Sequence, residues 1–234
     1  MEKRKFSMGG MFCFSPPVMI ATFFIEIILA LAVIWKYKLN PISRLVVLIL
    51  LFLAIFQVAE FMICEAWGFG SLAWSRVGHV AITMLPPLGI HLAYEIAGAK
   101  KRALLLPAYL TAGAFVVFFL FVGGSLETAA CLGNYVIFEM AKSAVWLYVL
   151  YYYGWLFATI WLCNKLIEQT KKVKTKHALY GLAAGYAAFI LPTATVNLID
   201  PSTVAGIPSI MCGFAVLLAL ALVFWVLPKS QAKA

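Results

Sequence analysis

Residues 45–68 read LVVLILLFLAIFQVAEFMICEAWG. A run this long and apolar predicts a membrane-spanning helix, because about 20 such residues cross the hydrocarbon layer. Its second half nevertheless carries Gln57, Glu60, Cys64 and Glu65. A carboxylate at mid-span costs about 2.5–3.5 kcal/mol even on insertion scales, so Glu60 requires a partner or a task. Positions 57, 60 and 64 are spaced three and four apart and share one helical face. That stripe is expected to face protein or a cavity rather than lipid, either as glue between helices or as part of a site.

The rest of the chain has the same character. Of its 234 residues, 65% are hydrophobic and 12% charged, with a mean hydropathy of +0.99. A soluble domain is about 45–50% apolar, so the composition predicts an all-α, polytopic membrane protein. Seven runs are long enough to cross: Val18–Trp35, Leu45–Ala66, Val77–Ala97, Ala103–Gly123, Tyr135–Leu162, Ala178–Ile199 and Ile207–Leu227. The fifth is long enough to begin outside the hydrocarbon and tilt through it. Polar and turn residues fill the breaks, such as KYKLNPISR, AGAKKR, GGSLETAACLGN and NKLIEQTKKVKTK. No repeat or soluble domain is evident, which predicts one domain over 1–234, with a short arm 1–17 and a short tail 228–234.

A net charge of +9 in a soluble protein would suggest nucleic acid. Here the basic residues cluster in short loops, where membrane orientation and anionic lipid explain them, so no nucleic-acid partner is expected. Lys36, Lys38, Arg44, Lys100, Lys101, Arg102, Lys165, Lys171, Lys172, Lys174, Lys176, Lys229 and Lys233 fall on one side when the loops alternate. Lys3, Arg4, Lys5, Arg76 and Lys142 fall on the other. The positive-inside rule then puts the N-terminus outside and the C-terminus in the cytoplasm. The initial MEKRK also suits a signal peptide, but the apolar run after it exceeds the usual 7–15 residues and begins beyond a polar gap.

In this orientation Glu60 lies about 8 Å below the outer end of the second span, with Gln57 a turn deeper. The third span adds His79 at nearly the same depth and His91 about 18 Å further in. Between them Pro86 and Pro87 remove two amide donors, so the carbonyls of Ile82 and Thr83 must find other partners. Glu26 occupies the middle of the first span, while the sixth supplies Thr193, Thr195 and Asn197 beside Pro192. Glu60, Gln57, His79, Glu26 and His91 are therefore the candidate ligand-binding residues. On an unbroken helix the two histidines point about 120° apart.

Cys13, Cys64 and Cys131 map to the outer rim and are the disulfide candidates. Alternatively Glu60, His79, Cys64 and Cys13 are ligand types for zinc or copper, although their spacing matches no established metal motif. The aromatic stretch AVWLYVLYYYGWLFATIW (144–161) spreads rings around the whole fifth helix, so some are expected to face lipid. The seventh span contains no lysine and thus no Schiff-base site for a retinal-type chromophore.

Two resemblances arise at these residues. FCFSPPVMIATFFIEIILAL followed by FQVAEFMICEAWG resembles an uncharacterised bacterial family of multi-pass membrane proteins that open with Met-Cys-Phe-Ser and carry Gln-x-x-Glu on the next span. Cys13, Gln57 and Glu60 are the matching positions, behind a longer N-terminal extension. The likeness covers about the first third of the chain and implies no known activity. SLAWSRVGHVAITMLPPLGIHLAYEIAG is similar to the third-helix region of seven-span sensor modules preceding some bacterial histidine kinases, though no kinase domain follows here.

Together these features lead to an expectation of a receptor-like or small-ligand-binding module in a bacterial cytoplasmic membrane, with its polar site between the first three helices near the outer face. A transporter or proton/metal-ion pathway is the first alternative and a metal-dependent membrane enzyme the second. Enzyme activity is the less favoured class, since only Glu60, His79 and Cys64 could supply its groups. The expected partners are the bilayer and an unidentified small molecule or ion. A second copy of the chain or a separate signalling partner also remains open.

Overall fold

A computed structural model describes residues 16–65, 68, 70–132, 135–199 and 207–230; the side chains of 127–139, 142–143, 197, 207–209 and 212 are outside this description. Within it the chain forms helices α1 (Pro16–Lys36), α2 (Pro41–Glu65), α3 (Ser71–Ala97) and α4 (Leu105–Phe121). Strands β1 (Leu126–Leu132) and β2 (Tyr135–Met140) follow, then α5 (Lys142–Gln169), α6 (Val173–Ile199) and α7 (Ile207–Ala221). A π-helical turn, Leu222–Val226, joins α7 to a last short helix, α8 (Leu227–Ser230).

Counting the continuous run from α7 through α8 as one helix, six of the described helices are long and apolar enough to cross a membrane, and α4 is shorter at 17 residues. This is a multi-pass helical architecture. Its outward surface agrees, because Ile28, Leu31, Trp35, Leu106, Leu147, Leu150, Leu191 and Phe224 are exposed. A soluble monomer rarely tolerates so extensive an apolar surface, whereas hydrocarbon is a matching solvent for it.

Strand pairing is the main departure from an all-α expectation. β1 and β2 form an antiparallel hairpin in which Ala129 pairs with Phe138, Ala130 with Ile137 and Cys131 with Val136. The expected fifth span, Tyr135–Leu162, thus begins as strand, and its helix starts only at Lys142 and continues to Gln169. Tyr135-Val-Ile-Phe is apolar enough to extend a hydropathy run, but its β-branched and aromatic residues suit a strand, and a run of four cannot distinguish the two. The helices also outlast their apolar runs elsewhere. α3 begins at Ser71 and α6 at Val173, because helical backbone satisfies its own polar groups on leaving the hydrocarbon.

Local chemistry places the corners. Asn40 accepts from the amides of Ile42 (3.0 Å) and Ser43 (3.1 Å) through Oδ1, capping α2 just ahead of Pro41 at its first turn. At the other end of α3, Gly98 takes a left-handed conformation at φ 61°. Its amide bonds to Glu95 O while Ala99 N bonds to Tyr94 O, which closes the helix in a Schellman arrangement.

α3 is the central helix, packing against α2, α4, α5 and α6, while α7 packs on α6 and reaches α1 and α2. Close approaches depend on glycine. A Cβ at Gly181 would lie 2.8 Å from Trp225, and one at Gly185 would lie 2.9 Å from Leu218, so the Gly181-x-x-x-Gly185 face of α6 admits α7 and its π turn. The interior between α2, α3, α5, α6 and α7 is tightly filled. The void bounded by Leu53, Leu85, Tyr186 and Met211 measures about 10 Å³, on the scale of one water probe. The hairpin contacts α2, α3 and α7 and so covers the bundle end where α2 finishes and α3 begins.

Candidate functional site

The polar stripe on α2 is buried. Gln57 is 2% and Glu60 1% exposed, and Cys64 is buried a turn beyond. Glu26 on α1 is fully enclosed at 0%. Glu26 and Glu60 lie close enough for each to feel the other's charge. Neither oxygen of Glu26 has a hydrogen-bond partner among the described residues. One turn earlier on the same face of α1, the buried Thr22 hydroxyl donates to Met19 O (2.9 Å) or Val18 O (3.0 Å). Its oxygen lone pairs remain able to accept.

His79 occupies the expected depth on α3 and is 1% exposed. Its Nδ1 lies 2.9 Å from Ser75 O, and a carbonyl only accepts, so Nδ1 carries a proton and donates it to Ser75. The imidazole also packs at 4.8 Å from the Phe119 ring and 6.1 Å from the Tyr148 ring. Glu26 and Glu60 are thus enclosed where α1 packs on α2, and His79 is enclosed on α3, which packs on α2 in turn.

The proline pair explains the next layer. Pro87 has no amide to donate to Thr83 O four residues earlier, and Tyr151 of α5 supplies the missing bond through its hydroxyl at 2.6 Å. Thr83 Oγ1 is 3.0 Å from Tyr148 OH, one turn earlier on the same face of α5. The need at Thr83 is evident in the sequence, but the tyrosine that answers it is not, because the aromatic run offers a ring on every face of α5. Tyr148, Tyr151 and Tyr152 are indeed buried while Trp146 and Trp161 are exposed.

His91 belongs elsewhere. Its Nδ1 is 3.1 Å from Tyr109 OH and its Nε2 3.6 Å from Glu95, which also binds Arg102. Arg102 Nε donates to Ala99 O at 3.2 Å. This network ties the α3–α4 corner together, about 18 Å along α3 from His79. Thr193 and Thr195 bond back to carbonyls of their own helix, at 2.9 and 2.8 Å.

Cys64 is disulfide-bonded and offers no thiolate to a metal. Cys13 lies outside the described residues, as do the side chains of Cys131 and Cys212. Cys163 is a buried free thiol within α5. Among the described residues no three His, Cys, Asp or Glu side chains converge as metal ligands would. The chemistry on offer is that of two enclosed carboxyl groups with a neighbouring amide and hydroxyl: holding a proton, a small cation or a hydrogen-bond donor. Compared with known proteins, the chain matches no family model and no curated sequence.

Proposed function

We propose that the protein is a seven-span, receptor-like membrane module that binds a small polar ligand between α1, α2 and α3, near the outer face and beneath the hairpin. Glu26 carries this reading. It is an enclosed carboxyl on a span-length helix, with neither oxygen bonded among the described residues. An unsatisfied buried polar group costs about 1–3 kcal/mol, and a residue that only fills space avoids that cost. Glu26 is therefore read as a group whose hydrogen bonds are completed by something outside the chain. With Glu60 in range and Gln57 and Thr22 as acceptors, the two acids set the sign, and the ligand is a proton, a small cation or an ammonium-type donor.

The topology behind the proposal has two independent supports. Lys and Arg collect on the side of the α1–α2, α3–α4 and α5–α6 corners, and the disulfide at Cys64 marks the opposite end of α2 as facing an oxidising compartment. At 17 residues α4 reaches the lower end of the spanning range and supplies the seventh crossing. The likeness of residues 71–98 to sensor modules points toward reception, and both resemblances suggest a bacterial cytoplasmic membrane.

The test uses purified protein in detergent, with protons and simple cations as probes. Across pH 5–8, and on exchanging choline for sodium, potassium or magnesium, the wild type is expected to shift its melting temperature by about 3 °C or more. Glu26→Gln keeps the size of the side chain and should fold with a flat response. Identical responses from wild type and Glu26→Gln would sink the assignment. An ion-pathway reading draws on the prolines within α3 and α6 and the π turn after α7, since such irregular helices accompany transport sites. Dye-detected proton flux in proteoliposomes, abolished by Glu26→Gln, would favour it over reception.

A further inference from the structure

α4 and α5 both lean on α3 and barely touch each other, which leaves a cleft of about 680 Å³ between them. Its walls include Phe115 and Phe118 from α4 and Leu147, Tyr151, Gly154 and Trp155 from α5. Behind them the Phe115 ring packs 4.8 Å from Tyr151 and 5.1 Å from Tyr148, so the floor is a fixed aromatic surface.

The polar atoms in this wall are already engaged. Trp155 Nε1 donates to Thr111 Oγ1 at 3.0 Å, linking the two helices. Thr111 in turn donates to Pro107 O at 2.8 Å, and the Tyr151 hydroxyl donates to Thr83 O. Among the described residues no charged side chain lines the cleft. An occupant meets ring faces and aliphatic carbon, with no hydrogen bond left to satisfy. The cleft's rim is also lipid-facing, with Leu147 62% and Leu150 71% exposed and Leu110 and Val117 exposed on α4.

Shape selects among apolar occupants. From Ala144 to Ala158 the wall on α5 runs about 21 Å, which gives the cleft a mean cross-section of about 30 Å². A helix with side chains, about 10–12 Å across, needs roughly three times that area. A whole helix of a second copy does not enter it and would at most rest on its exposed rim, whereas an extended hydrocarbon chain matches it in width and length. We propose that this cleft is a lateral binding site for one acyl chain of a membrane phospholipid, entering between α4 and α5 from the bilayer. It is distinct from the carboxyl site and does not depend on it.

Gly154 provides the test, because a Cβ there meets nothing within 4 Å, and Gly113 on α4 is equally open but is not among the lining residues. Gly154→Leu should therefore fill the cleft without a clash, and Gly113→Leu is the matched control. The protein is reconstituted in vesicles containing increasing fractions of phosphatidylcholine brominated at mid-chain, and Trp155 emission is obtained as the difference between wild type and Trp155→Phe. Half-maximal quenching of Trp155 is expected at a bromolipid fraction at least threefold lower than for the exposed Trp161, measured in the same way. That preference should disappear in Gly154→Leu and persist in Gly113→Leu. Equal quenching of Trp155 and Trp161 in the wild type overturns the proposal even if Gly154→Leu fails to fold. So does an unchanged preference in a folded Gly154→Leu, or a change of oligomeric state in that variant alone, which would make the occupant a second copy.

Discussion

Thr83 is a backbone problem solved by a side chain from another helix. Its carbonyl lost its helical donor to Pro87, and Tyr151 restores the bond at 2.6 Å from a helix that is distant in sequence. In a bilayer no bulk water can take over, so removing the hydroxyl leaves the carbonyl unsatisfied. Tyr151→Phe should lower stability by about 1 kcal/mol, within the range measured for interhelical bonds in membranes. Pro87→Ala returns an amide to the same carbonyl. In the double variant the Tyr151→Phe penalty should then shrink to near zero, as read from thermal melts of all four proteins. Additive losses would mean that Tyr151 stabilises α5 by packing alone.

Between elements, α6 meets α3 where Tyr186 seats its ring against Gly89. Tyr186 is 1% exposed, and a Cβ added at Gly89 would overlap its hydroxyl. The glycine therefore sets how near the two helices can sit, two residues past the proline pair in a segment already short of amides. Gly89→Ala should cost about 1–3 kcal/mol through overpacking. Tyr186→Phe removes the nearer of the two overlapping atoms and leaves Cζ at 2.6 Å, so the double variant should recover part of that loss. An unaltered penalty would show that the cost arises in the helix backbone instead. The hairpin is a second case at this scale. Gly133-Asn134 between the runs AACL and YVIF is a recognisable two-residue turn signal, but it is overridden when a hydropathy window merges YVIF with the helix that follows.

For the whole molecule the testable quantity is orientation. Gly123 follows α4 with nothing within 4 Å of a Cβ, and Lys172 is exposed between α5 and α6, at opposite ends of the bundle. With the α2–α3 end outside, an impermeant maleimide on intact cells should label Gly123→Cys at least tenfold more than Lys172→Cys. Permeabilisation should bring the two to parity. The reverse order would place the disulfide end of α2 in the cytoplasm and dismiss the proposed topology. The same scale frames the two sites: Glu26 and Glu60 are enclosed where α1 packs on α2, while the proposed acyl cleft opens sideways between α4 and α5.

How much was legible in advance follows from what each constraint acts on. Bilayer thickness and the cost of unsatisfied backbone act on contiguous residues, so the spans, the stripe 57/60/64 and the need for a donor at Thr83 could be read directly from the sequence. Rotation and neighbour choice are different. Helices apolar on every face carry little moment to say which side turns inward, and the answer lies in the sum of many weak contacts across the bundle. The tertiary structure alone therefore decided that Tyr151 serves Thr83, that Glu26 lies within charge reach of Glu60, that His91 joins the α3–α4 corner, and that a cleft remains between α4 and α5.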